Sequence, residues 1–577
     1  MKKEINLFDV PRISSVQDMV LRSGREYKSK LALEDLNPTP ISQVTYGELL
    51  ENVLRFGKAL QDIGVKEKTH IALIGENRVQ WALSFLTCMS FNFVVVPIDK
   101  NLTQNEILNI VHESDAEAVI FSESFADIFS GTHLFLKKLK HYVCMDDCGS
   151  LNGFLSMKKM IINTKEYGKN YLPEINPNEL AEIIFTSGSL GRAKGVMLSQ
   201  KNLSSNLMDM LSMLFMYPED RFLSVLPIHH TYECTCGMLC PLYSGSSIHY
   251  ARSLKTVVDD IQKVKATIML GVPLLYDKMY KRINKTVKED KVKSVLVPAL
   301  VKATNFAEKI GVKSKKKIFG EMHNKFGGHL RVFIAGGAAP DPQVAKGLRE
   351  FGFNFIQGYG LTETSPIVAL NRIDNFKDNA AGLPLPGLDI KINDTDENGN
   401  GEIWVKGNSV MLGYYKNENL TNEAFEDGWF MTGDVGFIDQ DGFLHINGRK
   451  KNVIISKGGK NVFPEEIEDI LNRSPFILES MVYGEKDKKQ DEIIAVQIVV
   501  DAEAFIGMSQ DKEIQITDVL MQKVVSEEVA KANKELAAHK QIRKFHIRDG
   551  EFEKTTTQKI KRYLVKKEEP EVREEGE

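Results

Sequence analysis

A chain of 577 residues is too long for one compact core, so two or more domains are expected. Hydrophobic residues make up 42% and charged residues 26%, which excludes collagen-like, disordered and membrane-spanning classes. The formal net charge of -4 gives no global reason to expect nucleic acid as a partner.

The first residues, Met1-Lys-Lys-Glu-Ile-Asn, carry charge with no apolar stretch and small-residue cleavage site behind them. No secretory signal is visible, and a cytoplasmic location is expected. Helical patterns over Tyr46 to Ile63 and Asn77 to Met89 alternate with short β-branched runs. The runs His70 to Ile74, Phe93 to Pro97, Ala118 to Phe121, Glu182 to Phe185 and Arg331 to Ala335 read as strands. That alternation predicts parallel sheets covered by helices. The most apolar stretch, Phe91 to Ile98, contains Pro97 and is far short of the roughly 18 residues a spanning helix needs. It reads as a buried strand.

Six cysteines do not make a disulfide framework in so long a chain, and a reducing compartment is the simpler expectation. Cys234, Cys236 and Cys240 are spaced C-x-C-x3-C beside His229 and His230, which favours buried thiols over a metal site. Residues 281–325 hold 13 Lys or Arg against 4 Asp or Glu. They read as a solvated helical face or as a basic patch drawn to anionic headgroups or acidic partners.

From about 382 to 447 turn signals come quickly, as in Asp394-Thr-Asp-Glu-Asn-Gly399 and Asp439-Gln-Asp-Gly442, so a β-rich subdomain is expected. The text reverts to α/β character beyond about 450. A boundary is expected near Gly448-Arg-Lys-Lys451, giving an N-terminal domain of 1–450 and a C-terminal domain of 451–565. The Lys- and Glu-dense tail, 566–577, should be disordered.

Chemistry concentrates first in Phe185-Thr-Ser-Gly-Ser-Leu-Gly-Arg-Ala-Lys-Gly-Val196. Gly188, Gly191 and Gly195 let backbone approach an anion closely, Thr186, Ser187 and Ser189 offer hydroxyl donors, and Lys194 adds a mobile positive charge. This is not a Walker A loop, because Ala193 precedes the lysine and Gly195 follows it. The string resembles the phosphate loop of the adenylate-forming superfamily, which includes acyl-CoA synthetases, luciferases and the adenylation domains of peptide synthetases. That family usually has proline where Ala193 stands.

The resemblance continues in family order over roughly residues 15 to 565. Leu226-Pro-Ile-His-His-Thr-Tyr-Glu233 is similar to the segment bordering the acyl pocket, with His230 as the residue that shields or opens the path to the reacting carboxylate. Gly336-Gly-Ala-Ala-Pro340 resembles the loop against adenine, which assigns Gly336, Gly337 and Ala338 to the nucleotide. In Gln357-Gly-Tyr-Gly-Leu-Thr-Glu-Thr-Ser365 the resemblance implies that Tyr359 and Gly360 adjoin adenine, Thr362 contacts phosphate and Glu363 holds Mg2+. Gly413-Tyr-Tyr and Trp429-Phe-Met-Thr-Gly-Asp434 follow, with Asp434 implied to accept from the ribose hydroxyls. Arg449 is implied to lie near ribose and phosphate, Lys451 to be the hinge, and Gly458 and Gly459 to line the pantetheine path. Phe552-Glu-Lys-Thr-Thr-Thr-Gln-Lys-Ile-Lys-Arg562 resembles the C-terminal lysine motif and makes Lys559 the adenylation lysine. Gln558 replaces the usual glycine, and Lys554, Lys561 and Arg562 are rival candidates.

The resemblance implies a large N-terminal domain of parallel-sheet α/β subdomains with a β-rich subdomain, and a small mobile α+β C-terminal domain. It further implies a ligase that activates a carboxylic acid with ATP and Mg2+ as an acyl-adenylate and passes the acyl group to coenzyme A. His-His-Thr-Tyr-Glu, Gly271 to Tyr280 and the Lys-Ile-Lys-Arg ending look like bacterial long-chain fatty acyl-CoA synthetases. The basic segment would then touch the inner face of a membrane peripherally. Medium-chain or aryl acids, a carrier protein as acyl acceptor, and a non-catalytic sensor of acyl-nucleotides remain open alternatives.

Overall fold

The computed structural model describes residues 6–37, 39, 42–147, 153–187, 193–456, 458–486, 492–512, 514–555 and 559–565. The tail 566–577 lies outside the described residues. Two compact units divide the chain. One comprises Met1–Ile390, Val405–Phe430 and Asp439–Leu444, and the other Lys391–Trp404, Met431–Ile438 and His445–Glu577.

The first unit is built on two large sheets. One has eight strands, in the order Gly413–Tyr414, Ala193–Ser199, Leu180–Ser187, Val94–Ile98, His70–Ile74, Ala118–Phe121, His141–Cys144 and Leu155–Ser156. Its middle is parallel, and the Leu180–Ser187 and Ala193–Ser199 strands add an antiparallel hairpin. The other sheet has nine strands, with Asn354–Gly360, Val332–Ala335, Ile268–Gly271, Arg221–Ser224, Ser247–Tyr250 and Leu31–Asp35 as its parallel body. Parallel strands covered on both faces need apolar side chains on both, which is why Val94–Ile98 and Ala118–Phe121 are buried at every residue.

Helix Val79–Ser90 explains how the sheets share a core. Its sequence, VQWALSFLTCMS, has no charged residue, its polar residues Gln80, Ser84, Thr87 and Ser90 are uncharged, and all twelve residues are buried. It packs on His70–Ile74 and Val94–Ile98 of one sheet and on Leu31–Asp35 of the other. A helix with no charged face belongs inside a protein. Trp81 and Phe85 stack with ring centroids 5.6 Å apart, and full burial of each large apolar side chain contributes roughly 1.5–3 kcal/mol. Helix Tyr46–Asp62 begins where the sequence predicts, closed by a reciprocal capping box between Thr45 and Glu48.

The β-rich stretch carries Leu388–Asn393, Gly401–Gly407, Phe425–Glu426, Trp429–Ile438 and Leu444–Arg449 in one five-stranded sheet. In the second unit, Ile477–Lys486 and Glu492–Val500 pair antiparallel, and Lys544–Arg548 lies parallel to the latter. Helices Pro464–Leu471 and Asp518–Glu535 cover that sheet through Ile467, Leu471, Val525 and Val529.

Candidate active site

In the first unit the site starts from the hairpin. Thr186 stands directly opposite Lys194 across the Leu180–Ser187 and Ala193–Ser199 pair. The segment expected to bind phosphate thus follows one strand of an antiparallel pair and precedes the other, whereas a Walker loop leads from a strand into a helix. Gly188, Ser189 and Gly191 lie outside the described residues, as does the side chain of Ser187. The Thr186 hydroxyl oxygen is buried and has no hydrogen-bond partner among the described residues. A buried hydroxyl without a partner is costly unless a ligand completes it.

Glu363 comes to this hairpin on the short helical turn Thr362–Thr364. The turn is held by Asn206, whose side-chain amide donates to Thr364 O at 3.2 Å and to Ile367 O at 2.7 Å. Lys194 Nζ lies 2.8 Å from Glu363 Oε1. It also donates to the Tyr414 hydroxyl at 2.8 Å, and that hydroxyl donates to Glu363 Oε1 at 2.9 Å. Burial alone would raise the Glu363 carboxyl, but the charge and hydrogen bond of Lys194, with further hydrogen bonds from Glu363's own backbone and Tyr414, hold it below the ordinary value. The carboxylate is thus kept ionised while buried. A cavity of about 300 Å³ next to this cluster is lined by Phe185, Lys194, Gly195, Tyr414 and Tyr415.

The residues expected on the acyl side, His229 and His230, lie between strand Arg221–Ser224 of the nine-stranded sheet and helix Tyr232–Leu239. His230 is half-buried, and the His229 ring lies 4.2 Å from its ring, centroid to centroid. Burial first, then electrostatic contributions from His230 and Lys100, hold His229 well below the usual histidine range, so it is neutral. Asn77, which the sequence does not single out, fixes this segment: its side chain accepts from Ile228 N at 3.1 Å and donates to Leu226 O at 2.6 Å. Tyr232 donates to Ile334 O at 3.1 Å. Its ring lies where a Cβ on Gly336 would come within 2.6 Å, so that glycine admits the tyrosine. Gly337 has φ +87° and, with Ala338, is exposed. Tyr359 is half-buried at the end of Asn354–Gly360. Gly360 has a reason of its own in the fold, because a Cβ there would fall 1.9 Å from Pro366 O.

The second unit holds the other residues. Arg449 Nε lies 2.9 Å from Asp434 Oδ1, and Arg449 also donates to Thr432 O at 3.1 Å. Asp434 is buried, and its backbone N–H donates to the Thr432 hydroxyl at 3.1 Å. Lys451 is exposed on the short turn Lys450–Asn452. Gly458 and Gly459 are exposed in the turn between Ile454–Ile455 and Asn461–Val462, with Gly459 at φ +73°. A Cβ at either glycine would meet nothing, so packing does not demand them.

Four cations compete for one role near the C-terminus. Lys554 is paired with Glu479 at 2.7 Å and Glu551 at 3.0 Å. Lys561 lies 3.9 Å from Glu553, and Arg562 is bonded to Glu468 and to Val482 O. Lys559 makes no ion pair among the described residues and is exposed. Crowding lowers its pKa, the Arg449 guanidinium adds to that, and Asp434 and Glu465 oppose it. Gln558 lies outside the described residues.

Cys88, Cys234, Cys236 and Cys240 are buried free thiols, with burial pushing each thiol up. Cys144 differs, being disulfide-bonded, against the expectation of a fully reduced chain. No helix among the described residues is long and apolar enough to cross a membrane.

The AMP-binding enzyme family description matches residues 20–415, and that of the AMP-binding enzyme C-terminal domain matches 466–559. The long-chain-fatty-acid--CoA ligase FadD15 of Mycobacterium bovis is 27% identical over 97% of this chain and 96% of its own length. Long chain acyl-CoA synthetase 1 of Arabidopsis thaliana is 29% identical over 80% of this chain and 74% of its own. Among solved structures, ATP-bound MatB of Rhodopseudomonas palustris has a TM-score of 0.75 at 23% identity, covering 96% of this chain and 98% of that one. MenE of Bacillus subtilis, in complex with ATP and magnesium ion, has a TM-score of 0.72 at 21% identity, covering 95% and 99%. These two likenesses establish the fold. The main family match spans more than half the chain, in the order the motifs predict, and the chain belongs to the AMP-binding enzyme family.

Proposed function

We propose that this chain is an AMP-forming acyl-CoA synthetase whose substrates are long-chain fatty acid, ATP and coenzyme A. The single observation that carries the reaction type is the Lys194, Glu363 and Tyr414 cluster opposite Thr186, a cation and a buried, ionised carboxylate at one phosphate hairpin. The acid class rests on the relatives, since FadD15 matches along almost the whole chain and is named for long-chain fatty acids.

The carboxylate oxygen of the acid attacks the α-phosphorus of ATP, and pyrophosphate leaves. A carboxylate is a poor electrophile, and AMP is a far better leaving group than oxide. Thr186, Ser187, Ser189 and the amides around Gly188 and Gly191 hold the phosphates, and Lys194 balances their charge. Thr362 contacts phosphate beside them. Tyr359, Gly360, Gly336, Gly337 and Ala338 flank the adenine. The residues fit a resident Mg2+: the buried Glu363 carboxyl is held below its ordinary value, and the side-chain bonds from Lys194 and Tyr414 both fall on Oε1. Bound there, Mg2+ would neutralise phosphate charge through a hard oxygen ligand.

Asp434 takes the ribose hydroxyls, with Arg449 fixing its carboxylate. Lys559, the cation without an ion pair among its neighbours, supplies positive charge to the adenylation step. His230 guards the path to the reacting carboxylate. Rotation about Lys451 then withdraws Lys559 and brings Gly458 and Gly459 to the thiol arm. The thiol of coenzyme A attacks the acyl carbon, and AMP leaves. A long-chain acid partitions into lipid, so work at a membrane surface suits such an enzyme, and the basic segment 281–325 is the contact.

The test is pyrophosphate and AMP release from ATP and Mg2+ with a panel of acids, with and without coenzyme A. Pyrophosphate with long-chain acids, and AMP turnover only with coenzyme A, is expected. Turnover with a carrier protein instead would replace the acceptor, and silence across the panel would contradict catalysis.

A further inference from the structure

Residues 273–309 form two successive helices, Pro273–Glu289 and Lys291–Lys309, joined at Asp290, whose carboxylate caps the second by accepting from Val292 N and Lys293 N. The first helix turns Tyr276, Met279, Tyr280 and Ile283 towards the core. Its other side shows Lys278, Lys281, Arg282, Lys285 and Lys288, all exposed.

The second helix has two apolar faces. Val297, Leu300 and Val301 pack on the core, and Thr304 is buried with them. On the other side Val292, Val295, Leu296, Phe306 and Ile310 are exposed by 70%, 75%, 50%, 67% and 67%. Their spacing of three, four and seven residues or multiples of it puts them in one outward stripe, with Ala299 and Ala303 completing it. An ordinary surface helix turns polar residues to that side. Lys291, Lys302 and Lys309 are also exposed on this helix, and none of them, nor Lys281, Arg282 or Lys288, makes an ion pair among the described residues.

We infer that these two helices are a docking surface for an anionic lipid bilayer, with the Lys291–Lys309 helix lying in the interface and its outer stripe among the acyl chains. This deepens the membrane contact of the proposed ligase and rests on that reading only for its purpose. Charge complementarity selects the occupant: the chain as a whole carries -4, yet 13 cations face 4 anions over 281–325. An apolar stripe flanked by lysines is the pattern of a helix lying in an interface, and no helix among the described residues is able to span.

The test is flotation of the full chain with vesicles of phosphatidylcholine containing about 30% phosphatidylglycerol, beside vesicles of phosphatidylcholine alone. Binding to the anionic vesicles only, lost as salt rises from about 0.05 M to about 0.5 M, is expected. The double variant Lys281→Gln/Arg282→Gln should weaken binding by roughly 25-fold, at about fivefold per charge. Val295→Ser/Phe306→Ser should weaken it by about tenfold or more with the salt dependence unchanged. In Phe306→Trp the tryptophan emission should shift to shorter wavelength on adding anionic vesicles. All variants change exposed side chains, so thermal melting should match the parent. Equal binding to both vesicle types, no binding at low salt, or a dimer in sedimentation that Val295→Ser/Phe306→Ser dissociates would overturn the inference. Pyrophosphate release with a water-soluble short acid, measured without vesicles, separates the two readings. A chain that floats but is silent with every acid keeps the docking surface and loses the ligase.

Discussion

Lys194 and Glu363 are separated by 169 residues in sequence, yet each is the other's counter-ion. The pair has a chemical logic. A buried carboxylate needs positive charge beside it, and Lys194 supplies it. Both were legible as motif residues. Tyr414 was not, although it bridges them. It is one of two tyrosines in Gly413-Tyr-Tyr, and only the antiparallel pairing of Tyr414 with Val196 decides which one faces the pair. Alternation along the strand sends Tyr415 the other way, where its hydroxyl donates to Asp115 at 2.8 Å. Lys559 poses the opposite problem, because the sequence offers four cations and the structure finds three of them in ion pairs. For Lys559→Ala, pyrophosphate release from ATP and acid should fall by about 100-fold or more. Thioester formation from supplied acyl-adenylate should stay within a few-fold of the parent. Equal loss of both half-reactions would move the role to another residue.

At the scale of elements, strand Leu180–Ser187 and helix Tyr232–Leu239 each carry a carboxyl into the core. Neither Glu182 oxygen has a partner among the described residues, and burial pushes the group from 4.5 up to about 8. Burial likewise raises Glu233 to about 8, against a hydrogen bond from Ser224. Gly237 is bare because a Cβ there would meet the Glu233 carboxyl at 2.7 Å. These are acids with raised folded-state pKa values. Below about pH 4.5 the folded and unfolded chains both hold the proton, and between there and about pH 8 the folded chain holds it more strongly. Stability from these groups is therefore full at the acid end and lost as pH rises towards 8, by an amount of order a few kcal/mol per carboxyl. Glu182→Gln should flatten the melting temperature between pH 5 and 8 and raise it at about pH 8 relative to the parent. Parallel curves for the two proteins would refute the buried, protonated carboxyl. Glu182 looked in the sequence like one residue of an ordinary strand. Its burial depends on which helices cover that strand, which periodicity alone does not specify.

At the scale of the molecule, the strands of the first unit were legible because parallel strands buried on both faces leave continuous apolar runs, and the Val79–Ser90 helix because it is rich in apolar residues and has no charge. The outer face of Lys291–Lys309 was not, because an apolar residue pointing outward reads the same as one pointing inward. The two units take residues from interleaved stretches of chain, so a single cut in the sequence describes them only approximately. The hinge at Lys451 is part of the proposal and lies on an exposed turn, where a change of backbone angles disturbs no buried side chain.

The central claim is that the acid is activated by becoming an acyl-adenylate. The most direct test supplies a long-chain acid with both carboxyl oxygens as oxygen-18, with ATP, Mg2+ and coenzyme A, and weighs the AMP. Attack on the α-phosphorus followed by cleavage at the acyl carbon leaves one labelled oxygen in the AMP phosphate. AMP heavier by one such atom is the predicted result. Unlabelled AMP, or ADP in its place, would contradict the account.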